Sequence, residues 1–159
     1  ESESRGLGDV YKRQLVICSE VLEHVPNFRE VLKECYRILK PGAVMLISVP
    51  SYLPESLCWM YSKEYMQTPG GHIRIFKKDF LKECFKELNL KLFKHHREHS
   101  MHSIYWILKA RNNMKENDFL KSLHALLVKQ MFGQAKFSLF LEKLLNPLFG
   151  KSECFYLRK

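Results

Sequence analysis

Residues 15–50 read LVICSEVLEHVPNFREVLKECYRILKPGAVMLISVP, and this stretch decides the fold class. Leu15-Val16-Ile17-Cys18 is a short apolar run with β-branched residues at its centre, the pattern of a strand buried on both faces. Ser19 and Glu20 end the run with polarity. After Pro26, Asn27 is placed to cap a helix, with Glu30 three positions on in capping-box spacing. Phe28, Val31, Leu32, Cys35 and Leu39 then share one helical face. Lys40-Pro41-Gly42 stops that helix, and residues 44–49 form a second apolar strand. Strand, helix of about a dozen residues and strand make a βαβ crossover, which requires parallel pairing. Ligands of such sheets sit beyond the carboxyl ends of the strands. A site is therefore expected at Cys18-Ser19-Glu20 and Val49-Pro50-Ser51, although a βαβ unit that holds no ligand has the same pattern.

The composition agrees with one ordinary domain. The chain has 159 residues, 46% of them apolar or aromatic and 27% charged, which excludes collagen, low-complexity disorder and a coiled coil. No apolar run is long enough for a membrane-spanning helix, and the opening residues lack a signal peptide's apolar stretch. The cysteines, at 18, 35, 58, 84 and 154, are odd in number and set in apolar patterns. That reads as reduced thiols in a cytoplasmic protein. Lys and Arg total 26 against 17 Asp and Glu, a net charge of +9. The basic residues are scattered, and no arginine-rich run is interleaved with aromatics. Nucleic acid is not an expected partner.

Outward from the core stretch, residues 4–14 (SRGLGDVYKRQ) resemble a translated sequencing-library adapter. Residues 1–14 are set outside the fold on that ground, and the chain is expected to start inside a domain. Residues 15–111 read as the body of the domain, and 112–159 as a helical extension of it. Residues 51–68, with Trp59, Tyr61, Tyr65 and Met66, read as a lid-like insertion or as ordinary packing. Beyond the polar link at 112–116, Phe119, Leu120, Leu123, Leu127 and Met131 follow helical spacing. Phe137, Phe140, Leu141, Leu144 and Leu145 continue it to Pro147. With lysines at 121, 129, 136 and 143, this hairpin is basic and amphipathic. It suits a cover over a site, a homodimer surface, or peripheral contact with an anionic membrane.

The stretch SEVLEHVPNFREVLKECYRILKPGAVMLISVP resembles the second half of a class I S-adenosylmethionine-dependent methyltransferase of the small-molecule type, a group that includes quinone-biosynthesis enzymes. The residues that carry the likeness are a strand ending in a polar residue, the LEHV loop, a helix ending in R-x-LKPG, and a further strand. GGHIRIFKKDFLKECFKELNL is similar to the family's late helix, which precedes an antiparallel strand pair. The resemblance implies an α/β fold: a partial Rossmann-like sheet with parallel strands, a late antiparallel pair and C-terminal helices. It implies methyl transfer from S-adenosylmethionine to a small-molecule acceptor by the intact parent. Two features depart from the family. Ala43 stands where a second glycine is usual. No glycine-rich loop follows a first strand, and the acidic residue for the ribose is missing, so the chain is expected to be an inactive fragment. The rival reading is a non-catalytic interaction or membrane-surface module built on the basic helices.

The resemblance also implies site residues. Cys18, Ser19 and Glu20 are similar to the residues beside the methionine part of the cofactor. His102, His99 and His24 are candidate catalytic residues, the first two because the late strand pair walls the acceptor pocket. In a strand, His96 and His102 share one face, and His95 and His99 the other. Glu20, Glu23 and His24, at i, i+3 and i+4, share a face if their loop is helical. They could then hold a divalent ion, but the preferred reading is a helix-terminus charge cluster with no metal.

Overall fold

The computed structural model describes residues 12–159. The reading of residues 1–11 as adapter-derived lies outside them, while Arg13 and Gln14 extend the first strand. Strand β1 (Arg13–Ser19) leads through a turn to helix α1 (Phe28–Ile38) and strand β2 (Leu39–Pro50). Helices α2 (Tyr52–Tyr61), α3 (Lys63–Met66) and α4 (Lys78–Glu87) follow. Strand β3 (Lys91–Glu98), helices α5 (Ser100–Arg111), α6 (Asp118–Met131) and α7 (Lys136–Phe149), and strand β4 (Ser152–Arg158) complete the chain.

The strands form one sheet in the order β1-β2-β4-β3. β1 and β2 are parallel, with Val16 opposite Met45 and Cys18 opposite Ile47. β4 runs antiparallel to both of its neighbours, so β3 points the same way as β1 and β2. The carboxyl ends of β1, β2 and β3 therefore share one edge. One face is closed: Val16, Cys18, Met45, Ile47, Val49, Phe155 and Leu157 pack with Leu32 of α1 and with Leu81 and Phe85 of α4. Period-two alternation places all the strand members of this set on the same side. On the opposite face of β1, Leu15 is 54% and Ile17 59% exposed. The expected burial of β1 on both faces is met on one only, because among the described residues nothing packs on the other.

Helix α1 buries the expected stripe, with Leu32 and Leu39 sealed and Phe28, Val31 and Cys35 partly so. The capping box does not form. Asn27 makes no side-chain cap, and Glu30 instead pairs with Lys33 at 2.8 Å. The far end of α1 is closed by Lys159, whose ammonium donates to the carbonyls of Tyr36 and Leu39.

Two expectations need correction. Residues 152–158, placed in a helical extension, form β4 at the centre of the sheet. The strand expected through His99 and His102 ends at Glu98, and residues 100–111 are helical. His99 turns the chain with φ of 67°. The Ser100 amide donates to Asn146 Oδ1 and its hydroxyl to the Glu142 carbonyl, so α7 anchors the first turn of α5. A second, smaller core of Tyr105, Leu120 and Leu127, with Met101, Trp106, Leu108 and Leu123 against it, joins α5 to α6.

Candidate active site

The parallel crossover sets the tips of β1 and β2 side by side at the carboxyl edge. Ser19 Oγ lies 2.8 Å from Ser48 Oγ, and the Ser48 hydroxyl donates to Glu20 Oε1 at 3.0 Å. The Glu20 amide donates to the Ser48 carbonyl, with Glu20 in the left-handed region at φ 51°. Cys18, expected on this rim, instead faces α1 and belongs to the core. Its thiol is pushed up by a hydrogen bond with Cys35 and by burial. Only Ser19 and Glu20 of the expected cofactor trio remain on the edge.

Residues 22–24 form a turn closed by the His24 amide on the Val21 carbonyl. The loop is not helical, so Glu20, Glu23 and His24 do not share a helical face. Glu23 is fully buried, and neither carboxylate oxygen has a hydrogen-bond partner. Burial, reinforced by the charge of Glu20, pushes its carboxyl up to about 7. Its carbonyl accepts the Ile73 amide, which ties this turn to the segment carrying His72. His24 Nδ1 lies 3.1 Å from the Gly71 carbonyl oxygen, and its ring meets that of His72 edge-on at 4.9 Å. Glu23, His24 and His72 thus form a cluster whose ligand-type atoms lie within 4.8 Å of one another.

Behind His72 stands Glu55, on α2 and 1% exposed. His72 Nδ1 approaches Glu55 Oε1 to 2.6 Å, and the Trp59 indole donates to the same oxygen at 3.1 Å. The other oxygen accepts the Tyr65 hydroxyl at 3.2 Å and has the Lys151 ammonium at 3.6 Å. Burial works to raise the Glu55 carboxyl. The hydrogen bond from His72, the charge of Lys151 and the Tyr65 bond outweigh it and hold the group below the ordinary carboxylate range. With Glu55 ionised, the neutral form of His72 donates through Nδ1 and carries its lone pair on Nε2. The Tyr65 phenol is pushed up by burial and by the Glu55 charge, so it stays a donor.

Two adjoining clefts meet at this pair. One, of about 500 Å³, has His24, Trp59, Met66, Thr68, Gly71 and His72 among its walls. The other, of about 300 Å³, shares Thr68, Gly71 and His72 and adds Tyr65, Trp106 and Lys151. The aromatic walls come from the expected lid segment and from α5. A carboxylate-oriented imidazole opening on an apolar cleft can take a proton from a bound hydroxyl. Of the three expected catalytic histidines, His24 reaches this place. His99 and His102 instead contact each other, with ring centroids 5.5 Å apart, near Glu142 of α7. Neither Glu55 nor His72 is among the site residues expected from the sequence. They lie 17 positions apart with no helical or strand period to join them. The one available signal was an acidic residue inside the otherwise apolar segment YLPESLCWMY.

A sequence profile described as a methyltransferase domain matches residues 9–95, more than half of the chain. The ubiquinone biosynthesis O-methyltransferase of Dechloromonas aromatica is 35% identical over 82 residues, covering 48% of this chain and 35% of that protein. The Pseudomonas putida protein of the same name is 40% identical over 42 residues, covering 26% of this chain and 18% of that one. The chain thus spans about a third or less of the length of these curated relatives. Among solved structures, a SAM-dependent methyltransferase from Archaeoglobus fulgidus superposes with a TM-score of 0.53 at 18% identity. The match covers 99% of this chain and 64% of that one, and it speaks for the fold.

Proposed function

The chain belongs to the methyltransferase domain family, and from that premise we propose that it is the carboxyl-terminal part of a domain that moves a methyl group from S-adenosylmethionine to the oxygen of a small-molecule acceptor. The observation that carries this reading is the Glu55–His72 pair, set at the carboxyl edge of a parallel strand pair, with His72 open to the largely apolar cleft lined by Tyr65 and Trp106. The O-methyltransferase names of the relatives favour an oxygen acceptor. Such an acceptor must lose a proton as the new bond forms. His72 Nε2 takes it, Glu55 stabilises the resulting imidazolium, and Trp59 and Trp106 shield the cleft from water. A positioned base of this kind contributes on the order of 10²–10⁴-fold. His24 stands beside His72 as a neighbour that helps orient it. Glu20 is held by Ser48, so the grouping of Glu20, Glu23 and His24 as metal ligands is not adopted.

The described residues offer S-adenosylmethionine one wall only. The polar groups at 19–20 and 48 are already bonded to one another, and no glycine-rich turn follows a strand tip. They do not fit the cofactor by themselves, and no step is derived through it. We infer that the chain alone is inactive and depends on further strands beside β1. Titration calorimetry with S-adenosylhomocysteine should show no saturable binding to the chain. Micromolar affinity would overturn the half-site reading.

A second reading rests on a different observation. Phe119, Met131, Phe132, Phe137, Phe140, Leu144 and Leu148 of the α6–α7 hairpin are each 63% or more exposed, with lysines 121, 129, 136 and 143 interspersed. An apolar face among lysines suits an anionic membrane surface, and no described helix is long and apolar enough to cross one. Co-sedimentation with phosphatidylglycerol vesicles that falls with salt and is absent with neutral lipid supports this reading. Binding that ignores lipid charge, or self-association in place of it, removes it.

A further inference from the structure

We propose that His99, His102 and Glu142 form a binding site for a borderline divalent cation of the Zn²⁺ type, separate from the cleft around His72. The three side chains come from the turn before α5, the first turn of α5, and α7. Their ligand-type atoms lie within 4.8 Å of one another, with His99 Nδ1 4.0 Å from Glu142 Oε1.

Two independent facts point to a missing ligand. Glu142 is 8% exposed, and its Oε1 has no hydrogen-bond partner, although Oε2 accepts from the Gln130 amide of α6. His102 Nδ1 is likewise buried and without a partner. Buried polar atoms in native proteins are satisfied in the large majority of cases, so two orphans on neighbouring residues of one cluster call for a partner. A neutral imidazole Nδ1 and a carboxylate Oε1 are both acceptors. A shared hydrogen-bond donor or a cation could satisfy them. The addition of His99, which is free to rotate because its side chain is 59% exposed, favours the cation.

The chemistry of the donor set selects the ion. Two imidazoles and one carboxylate suit zinc or cobalt, whereas magnesium and calcium prefer oxygen ligands. Ligand atoms held at about 2.0–2.1 Å from zinc sit roughly 3.3 Å apart. The cluster must therefore contract modestly, which rotation of His99 allows. Three protein ligands leave a fourth position to water. Because Glu142 also accepts from Gln130, the ion would pin α5, α6 and α7 together at the base of the hairpin. Lys151 lies close enough to His102 to oppose a cation, while Glu98 adds negative charge beside Glu142. The inference does not depend on the reading of the cleft.

Cobalt(II) titration of the full chain under reducing conditions tests it. The expected result is one equivalent bound, with visible d–d bands and no near-ultraviolet band from thiolate. His99→Asn is the decisive variant, since the side chain is exposed and asparagine tolerates the left-handed backbone. It should weaken cobalt binding by about tenfold or more, as should His102→Asn. His72→Gln should leave binding unchanged. The inference is overturned by no uptake at about 100 μM cobalt, an affinity too weak for a built site. Uptake that survives His99→Asn and His102→Asn, uptake lost in His72→Gln, or a thiolate band would overturn it equally.

Discussion

The Glu23→Gln variant should gain stability over the parent chain as the pH rises. Glu23 is fully buried, neither carboxylate oxygen has a hydrogen-bond partner, His24 Nε2 stands 3.8 Å from Oε1, and the carboxyl is raised from 4.5 to about 7. A group whose pKa is raised by folding binds its proton more tightly in the folded state. Its stabilising contribution is thus fully present below about pH 4.5 and is lost as the pH climbs through about 7. A rise from 4.5 to about 7 corresponds to about 3 kcal/mol. Glutamine has nearly the shape of the protonated acid and no charge to desolvate. Urea unfolding of both proteins at pH 5 and pH 8, with EDTA present, measures the difference directly. The two should be similar at pH 5, with the variant ahead by about 3 kcal/mol at pH 8. A gap that stays constant within about 0.5 kcal/mol across that range would show that the Glu23 carboxylate is not desolvated. The account of this turn would then be wrong.

Phe155→Ala, at a fully buried ring that meets Phe85 edge-on at 5.4 Å, should cost about 3–5 kcal/mol, read as a lowered urea midpoint. Glu55→Gln removes the charge that holds His72, so the downfield Nδ1–H proton resonance of that imidazole should vanish. Stability should fall by about 1–3 kcal/mol as Lys151 loses its partner. The double variant Phe137→Ser, Phe140→Ser changes two side chains that are 75% and 65% exposed. It should alter stability by less than about 0.5 kcal/mol each while weakening co-sedimentation with phosphatidylglycerol vesicles.

The βαβ unit was legible because every cue in residues 15–50 points one way: apolar runs at both ends, a helical stripe between them, and a Pro-Gly stop. Strand β4 was not, for a reason visible in its pairing. Glu153 occupies an inward position on the same face as Phe155 and Leu157, which breaks the apolar alternation a reader looks for. The position is tolerated because His95 Nε2 and Arg97 of the neighbouring strand meet its carboxylate at 2.9 and 3.3 Å. Helix α5 hid in the same way. Its Ile-Tyr-Trp-Ile run has strand-like residues, and its helical state is set by Asn146 and Glu142, more than forty residues away. The rim at 19–20 could be read locally, since strand tips follow from strands. The Glu55–His72 pair could not, since its two halves are joined only by the folding of α2 over the loop at 70–73.

The two features behind the half-site proposal lie together. The face of β1 that bears exposed Leu15 and Ile17, and the edge of that strand that is unpaired among the described residues, adjoin the rim at 19–20 proposed as one wall of a nucleoside site. Parallel sheets are buried on both faces, so strands and helices added at β1 would cover those two apolar side chains and supply the second wall in one step. On that proposal, cofactor binding and burial of Leu15 and Ile17 are coupled: whatever supplies one supplies the other. The acceptor side is different in kind. Glu55, His72, Trp59, Tyr65 and Lys151 are assembled entirely from residues 52–151, with Glu55 buried and fully partnered. The proposed base is therefore preorganised within this chain, while the proposed cofactor side depends on what pairs with β1.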